Sequence, residues 1–334
     1  AILPILFVIA ILGATAQTDS TEFMKRLCKL QGISNVSKLE STQYSEKYVI
    51  KVKQNVDGTD DSKGTFGQRV IVGFRGYDRP TVIVTEGYSA DYSLNPRYEE
   101  ELCRLFNANL VFCEYRYFSE SVPSPCNWDY MTVGNSLLDL HNVRQTLGEL
   151  FTGKWISTGI SKGGQTTMFY RATFPDDVDV SVSYVAPLNK NAEDGRHEPF
   201  LRYHVGTAEE RQTIEAFQLE VLKRREALQP LFEKHCIEKK YEFRAPIAEI
   251  YDFAVLEYPF AMWQWGTPVS TIPALDSSDE EIFKHFLAIS DPSYFDVNGS
   301  FSSFFVQACR ELGYYGYDMR PFKDYMVIKD TKDY

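Results

Sequence analysis

The residues in this sequence best placed to do chemistry are Gly159-Ile160-Ser161-Lys162-Gly163. A serine hydroxyl is a weak nucleophile until the backbone holds it clear of its surroundings and a base takes its proton. The G-x-S-x-G spacing meets the first need when it joins a strand to a helix. Here the apolar pair Trp155 and Ile156 reads as a buried strand, and residues 164–173 read as a helix with Met168, Phe169 and Ala172 for its inner face. Gly159 and Gly163 would let strand and helix cross where a Cβ would clash. The amide of Lys162 opens the helix. It would therefore turn an N–H donor and the positive end of the helix dipole toward any oxyanion formed at Ser161. A Ser161–Lys162 dyad is disfavoured, because sequence neighbours on a helix do not face one another; Lys162 is expected to point away. The competing structural reading is a glycine-rich β–α turn whose serine merely caps the helix.

The elements around this turn alternate. Residues 21–31 read as a short amphipathic helix. Residues 44–56 and 68–74 read as the strands of a hairpin, with the polar stretch 57–64 as its turn. Pro80-Thr-Val-Ile-Val-Thr85 suits a central parallel strand and runs into Glu86-Gly87-Tyr88. A helix over 97–106, a strand over 110–117, a long helix within 128–151 and a strand over 178–185 complete the pattern. Such alternation predicts a doubly wound, mostly parallel α/β sheet, with Ser161 at the C-terminal end of a strand, where open sheets of this kind place their sites. After Pro187 the pattern changes to helices at 206–239, 245–258, 280–289 and 301–312, rich in Phe, Tyr and Trp. The boundaries expected are a leader over 1–16, a core over 17–187, a helical cap over 188–325 and the start of a return to the core over 326–334. One catalytic domain with an insertion fits better than two independent domains.

Composition narrows the function. With 334 residues, 44% hydrophobic and 24% charged, the chain has the means for a large core. A net charge of -11 argues against nucleic acid and anionic membrane surfaces as partners. The run Ala1-Ile-Leu-Pro-Ile-Leu-Phe-Val-Ile-Ala-Ile-Leu-Gly13, followed by Ala14-Thr15-Ala16, has the form of a secretory leader with a small-residue cleavage site. It implies a protein working outside the cytoplasm, with no membrane anchor once the leader is removed. Six cysteines (Cys28, Cys103, Cys113, Cys126, Cys236 and Cys309) are compatible with disulfides of undetermined pairing or, for Cys103 and Cys113, with buried thiols. No C-x-x-C or H-x-x-x-H spacing suggests zinc. The sequons at Asn35 and Asn298 matter only in a host that glycosylates.

Several stretches in order carry a family resemblance: Thr85-Glu-Gly-Tyr88, Glu114-Tyr-Arg-Tyr-Phe-Ser-Glu-Ser-Val-Pro123, Gly159-Ile-Ser-Lys-Gly-Gly-Gln-Thr166, Tyr184-Val-Ala-Pro-Leu-Asn189 and Glu193-Asp-Gly-Arg-His-Glu198. Together they resemble the secreted prolyl tripeptidyl aminopeptidases, serine peptidases of the α/β-hydrolase fold related to the Pro-Xaa carboxypeptidases and dipeptidyl peptidases. The resemblance runs from about residue 45 to the end of the chain. It implies removal of tripeptides from free N-termini after proline, through Ser161 and an acyl-enzyme, with no metal or cofactor and with peptides as partners. The oxyanion donors implied are the amides of Lys162 and of Gly87; Glu86 and Glu114 are candidate substrate contacts. A Pro-Xaa carboxypeptidase, a dipeptidyl peptidase and a non-catalytic hydrolase-fold protein remain as alternatives.

A triad needs an acid and then a histidine after the serine. His197, His204, His235 and His285 follow Ser161, and none follows a convincing late strand. His197, with Asp194 nearby, is the tempting candidate but comes early. By the family pattern the acid and the histidine are expected beyond Tyr334, and the chain given is expected to be inactive or nearly so.

Overall fold

The computed structural model describes residues 21–299 and 301–331. The leader read over residues 1–16 lies outside them. The chain opens with α1 (Glu22–Leu27), capped by the Thr21 hydroxyl, which accepts the Met24 amide. Strands β1 (Ile33–Leu39), β2 (Glu46–Asp57) and β3 (Asp60–Phe74) form an antiparallel meander. The hairpin is tighter than the sequence suggests. Most of the polar stretch 57–64 belongs to β3, because Asp57 and Asp60 pair directly and leave only Gly58 and Thr59 to turn.

The rest of the core alternates strand and helix: β4 (Thr81–Val84), α2 (Glu101–Phe106), β5 (Asn109–Cys113), α3 (Val133–Gly148), β6 (Trp155–Ile160), α4 (Lys162–Thr173) and β7 (Val180–Tyr184). The seven strands lie in the order β1-β2-β3-β5-β4-β6-β7, and β5, β4, β6 and β7 run parallel. Central strands covered on both faces are apolar throughout, and side chains alternate between the two faces. Ile83, Val111 and Cys113 pack with Leu137, Leu140 and Val143 of α3 on one face. Val82, Val84, Leu110 and Phe112 pack with Leu102 and Cys103 of α2 on the other. All six cysteines are free thiols, with Cys103, Cys113 and Cys236 buried.

The helical layer comprises α5 (His197–Tyr203), α6 (Ala208–Lys223), α7 (Arg225–Lys239), α8 (Ile247–Gln264), α9 (Asp279–Ile289) and α10 (Ser302–Gln307), the last continued by a wider turn over Ala308–Leu312. The helix expected over 206–239 is two helices that break at Arg224. Thr207 with Glu210, and Ser278 with Glu281, form reciprocal capping boxes that start α6 and α9. This layer owns its core, built on Phe217, Phe232, Tyr251, Tyr258 and Phe286. It is tied to the segment that follows β7 by Tyr314, whose amide donates to the Ala192 carbonyl and whose carbonyl accepts the Asp194 amide, each at 2.8 Å. Among the described residues no helix is long and apolar enough to cross a membrane.

Candidate active site

Ser161 sits between β6 and α4 with φ 56° and ψ -120°. A non-glycine residue at positive φ is strained, and such strain persists where the surroundings over-determine it. Three contacts do so here. The Ser161 amide donates to the Tyr184 carbonyl at 3.0 Å, and its carbonyl accepts the Gln165 amide at 2.9 Å. A Cβ on Gly159 would lie 2.4 Å from the Gly163 carbonyl, so strand and helix touch there backbone to backbone. The second crowded glycine is Gly164, whose Cβ would meet the Tyr184 carbonyl at 2.6 Å, whereas one on Gly163 would make ordinary contacts from 3.4 Å outward. The sequence named Gly163 for this clash and overlooked Gly164.

The segment after β4 crosses directly over the start of α4. Thr85 Oγ1 bonds the Gly163 carbonyl at 2.9 Å and Thr167 Oγ1 at 2.7 Å. A Cβ on Gly87 would press on Lys162 Cβ and Cγ at 2.7 Å and on the Gly163 nitrogen at 2.9 Å. Lys162 points away from Ser161, as the spacing required, but it turns inward rather than to solvent. Its side chain is buried, and Nζ donates to the Gly87 carbonyl at 2.9 Å and lies 3.2 Å from the centre of the Tyr115 ring. Desolvation lowers its pKa well below the usual lysine value, opposed by the carboxylates of Glu86 and Glu311. The backbone N–H of Lys162 is the first in α4, so it has no acceptor within the helix and is available at the Ser161 side.

Glu86 is buried, which pushes its carboxyl up to about 7 against the hydroxyl of Tyr92 at 2.8 Å, the charge of Lys162 and the amide of Gly87. The Gly87 amide is thus turned toward Glu86. Tyr88, one residue on, lies close enough to Ser161 for the serine to influence its hydroxyl, and burial raises its pKa so that the hydroxyl stays protonated. The sequence pointed to the Gly87 amide on this loop and not to the Tyr88 side chain. Glu114 is fully buried. Its carboxylate pairs with Arg69 and accepts the Ala90 and Glu120 amides and the Ser121 hydroxyl, each of the last three at 2.8 to 3.0 Å.

The histidines are engaged elsewhere. His197 Nε2 is 3.3 Å from Asn189 Oδ1. Asp194 bonds Arg196 Nε at 2.8 Å and the Lys190 amide at 3.0 Å, and meets His197 only through its backbone. His235 pairs with Asp291 and His285 with the Tyr258 hydroxyl, while His204 packs on Phe200. His141, which precedes the serine, pairs with Asp177 at 2.8 Å beside Tyr170. That couple lies near the far end of α4, about 12 Å or more along the helix from Ser161.

Strand order, strained serine and helix-start amide define an α/β-hydrolase scaffold, with a strand–turn–helix geometry at Ser161 of the kind that presents a nucleophile. The model of the PS-10 peptidase S37 family matches residues 16–326. A prolyl tri/tetrapeptidyl aminopeptidase of Streptomyces mobaraensis is 30% identical over 309 residues, covering 90% of this chain and 64% of that relative. The chain therefore belongs to the peptidase S37 family, as its resemblance to the prolyl tripeptidyl aminopeptidases led us to expect, and it spans slightly under two thirds of this relative's length. Solved structures add distant likenesses. An α/β hydrolase, GrgF, from Penicillium sp. sh18 is 16% identical with a TM-score of 0.33 over 47% of this chain and 50% of its own. A structure from a study of two prolyl endopeptidases is 13% identical with a TM-score of 0.31 over 53% of this chain and 30% of its own.

Proposed function

We propose that Ser161 is the nucleophile of a serine exopeptidase that releases tripeptides from free N-termini, with proline at the cleaved position. The observation that carries this is the strained Ser161 at the head of α4, with the protonated Tyr88 hydroxyl beside it. Attack of Oγ on the scissile carbonyl would form a tetrahedral oxyanion, collapse to an acyl-enzyme with loss of the C-terminal peptide, and end in hydrolysis by water. The Lys162 amide is the first oxyanion donor. For the second, the protonated Tyr88 hydroxyl is better placed than the Gly87 amide, which faces Glu86. Gly87 then serves by its small size, which lets the Glu86–Tyr88 segment lie on Lys162. The buried pairing of Glu114 with Arg69 supports a role in holding that segment rather than in touching substrate.

The described histidines favour a second reading, a hydrolase-fold protein that binds peptides without cleaving them, because each is engaged away from Ser161. For the same reason we expect this chain alone to turn over peptides slowly or not at all. A tripeptidyl boronic acid ending in the proline analogue separates the ideas, since boron is captured by an accessible serine oxygen. Calorimetry should show binding that falls by at least about tenfold in Ser161→Ala; unchanged binding would remove Ser161 from the site. Ser161-dependent release of coumarin from an Xaa-Xaa-Pro-coumarin amide by the purified chain would exclude the non-catalytic reading and our expectation of inactivity together.

A further inference from the structure

Several buried carboxylates among the described residues have arginine partners. Glu114 pairs with Arg69, Asp139 with Arg116, Asp252 with Arg225 and Asp194 with Arg196. Glu86 has no such pair but feels the charge of Lys162; Glu257 on α8 has neither. It is 7% exposed, and its two oxygens accept the hydroxyls of Tyr315 and Tyr317, each at 2.7 Å, with no cation among the described residues offsetting its burial. A buried carboxylate held by neutral donors alone stays poorly compensated when ionised. Each of its oxygens retains a further acceptor site.

The groups around it suit a cation. Tyr314 lies on Tyr315 with ring centres 3.9 Å apart, Phe260 stacks on Tyr315 at 4.0 Å, and the Tyr294 hydroxyl joins those of Tyr314 and Tyr315. All four tyrosines are half-buried, so the cluster reaches solvent while the carboxylate beneath it does not. Aromatic faces around a carboxylate attract an ammonium through both ring quadrupole and charge.

The same cluster is joined to the serine by a wall of rings. The ring of Tyr88, beside Ser161, is 5.8 Å from that of Phe304; Phe304 is 5.2 Å from Tyr314, which stacks on Tyr315. Three extended residues span about 10 Å from their amino end to the last carbonyl. A few ring-to-ring steps of this size are therefore of the same order as a tripeptide.

We propose that Glu257 with Tyr315 and Tyr317 is the anchor for the free α-ammonium of the substrate peptide. This rests on the aminopeptidase reading above and gives it a physical ruler: the anchor-to-serine separation sets how many residues are removed. The ammonium would donate to the open acceptor sites of Glu257 and supply the cation that the fold leaves out. The intervening rings would line the path of the side chains.

The test is calorimetric binding of Ala-Ala-Pro-amide and its N-acetyl form to the purified chain. The free form should bind at least about tenfold more tightly, and Glu257→Gln should bring the two affinities together by weakening the free form alone. Equal affinities in the unmodified protein would overturn the anchor whether or not the variant folds, as would a folded Glu257→Gln that keeps the preference. If the two amides bind equally while boronate capture still depends on Ser161, the peptidase reading survives and only the anchor falls. If neither amide binds and the boronate is not captured, both fall.

Discussion

Glu114 and Glu257 are both buried carboxylates, one under the sheet and one in the helical layer, and they are held in opposite ways. Glu114 has a cation, two amides and a hydroxyl; Glu257 has two phenols. On the sheet side Asp139 is answered in the same way, by Arg116, which also donates to the carbonyls of Val56 and Tyr130. The helical layer leaves one carboxyl without its partner, facing a half-open group of tyrosines. A charge that is fully answered within the fold serves stability. One that is not answered is a place to look for a ligand.

The sharpest way to break this contrast is to remove a cation from the sheet side. Arg116→Leu would leave Asp139 buried and unpaired, and should destabilise the protein by about 3–5 kcal/mol in denaturant unfolding. A far smaller loss would mean that Asp139 is simply neutral there. Next comes pH. Burial raises the Glu257 carboxyl from 4.5 to about 7, so between these values the folded state binds the extra proton. Its stabilising share is complete below pH 4.5 and lost as pH rises through 7, about 3 kcal/mol in all. The stability of wild type relative to Glu257→Gln should therefore fall across that window, and a difference independent of pH would contradict the assignment. Gly159→Ala places a methyl 2.4 Å from the Gly163 carbonyl. It should lower stability by about 1–3 kcal/mol and weaken boronate capture. At the other extreme, Glu22→Ala removes an exposed ion pair with Arg26. Its effect should stay within about 0.5 kcal/mol in the same unfolding experiment.

The parts of the molecule legible in the sequence were those set by local rules. β6, the turn at Ser161 and α4 announce themselves through glycine spacing and a switch from strand to helix, and the capping residues of α9 mark its start. β1 was overlooked because Ile33–Leu39 is largely exposed and irregular, with Asn35 at φ 51° and a register shift between Ser34 and Ser37. The break at Arg224 has neither glycine nor proline to signal it. The site residues that escaped are those defined by distant contacts. Nothing near Lys162 in sequence says that its ammonium will lie under Tyr115. Tyr88 meets Ser161 only once β4 and β6 are paired. Glu257 did leave a trace, as an acid in the apolar run Phe253-Ala-Val-Leu-Glu-Tyr-Pro-Phe-Ala261, but its phenolic partners lie nearly 60 positions on.

The measurement that bears most directly on the central claim is a crystal structure of the chain with an amino-free tripeptidyl boronic acid. Boron is expected to bond Ser161 Oγ, with a boronate oxygen within hydrogen-bond reach of the Lys162 amide and the Tyr88 hydroxyl. The α-ammonium is expected at Glu257, inside the tyrosine cluster. A ligand bound elsewhere, or one captured at Ser161 with its amino end in open solvent, would contradict the account at the serine or at the anchor respectively.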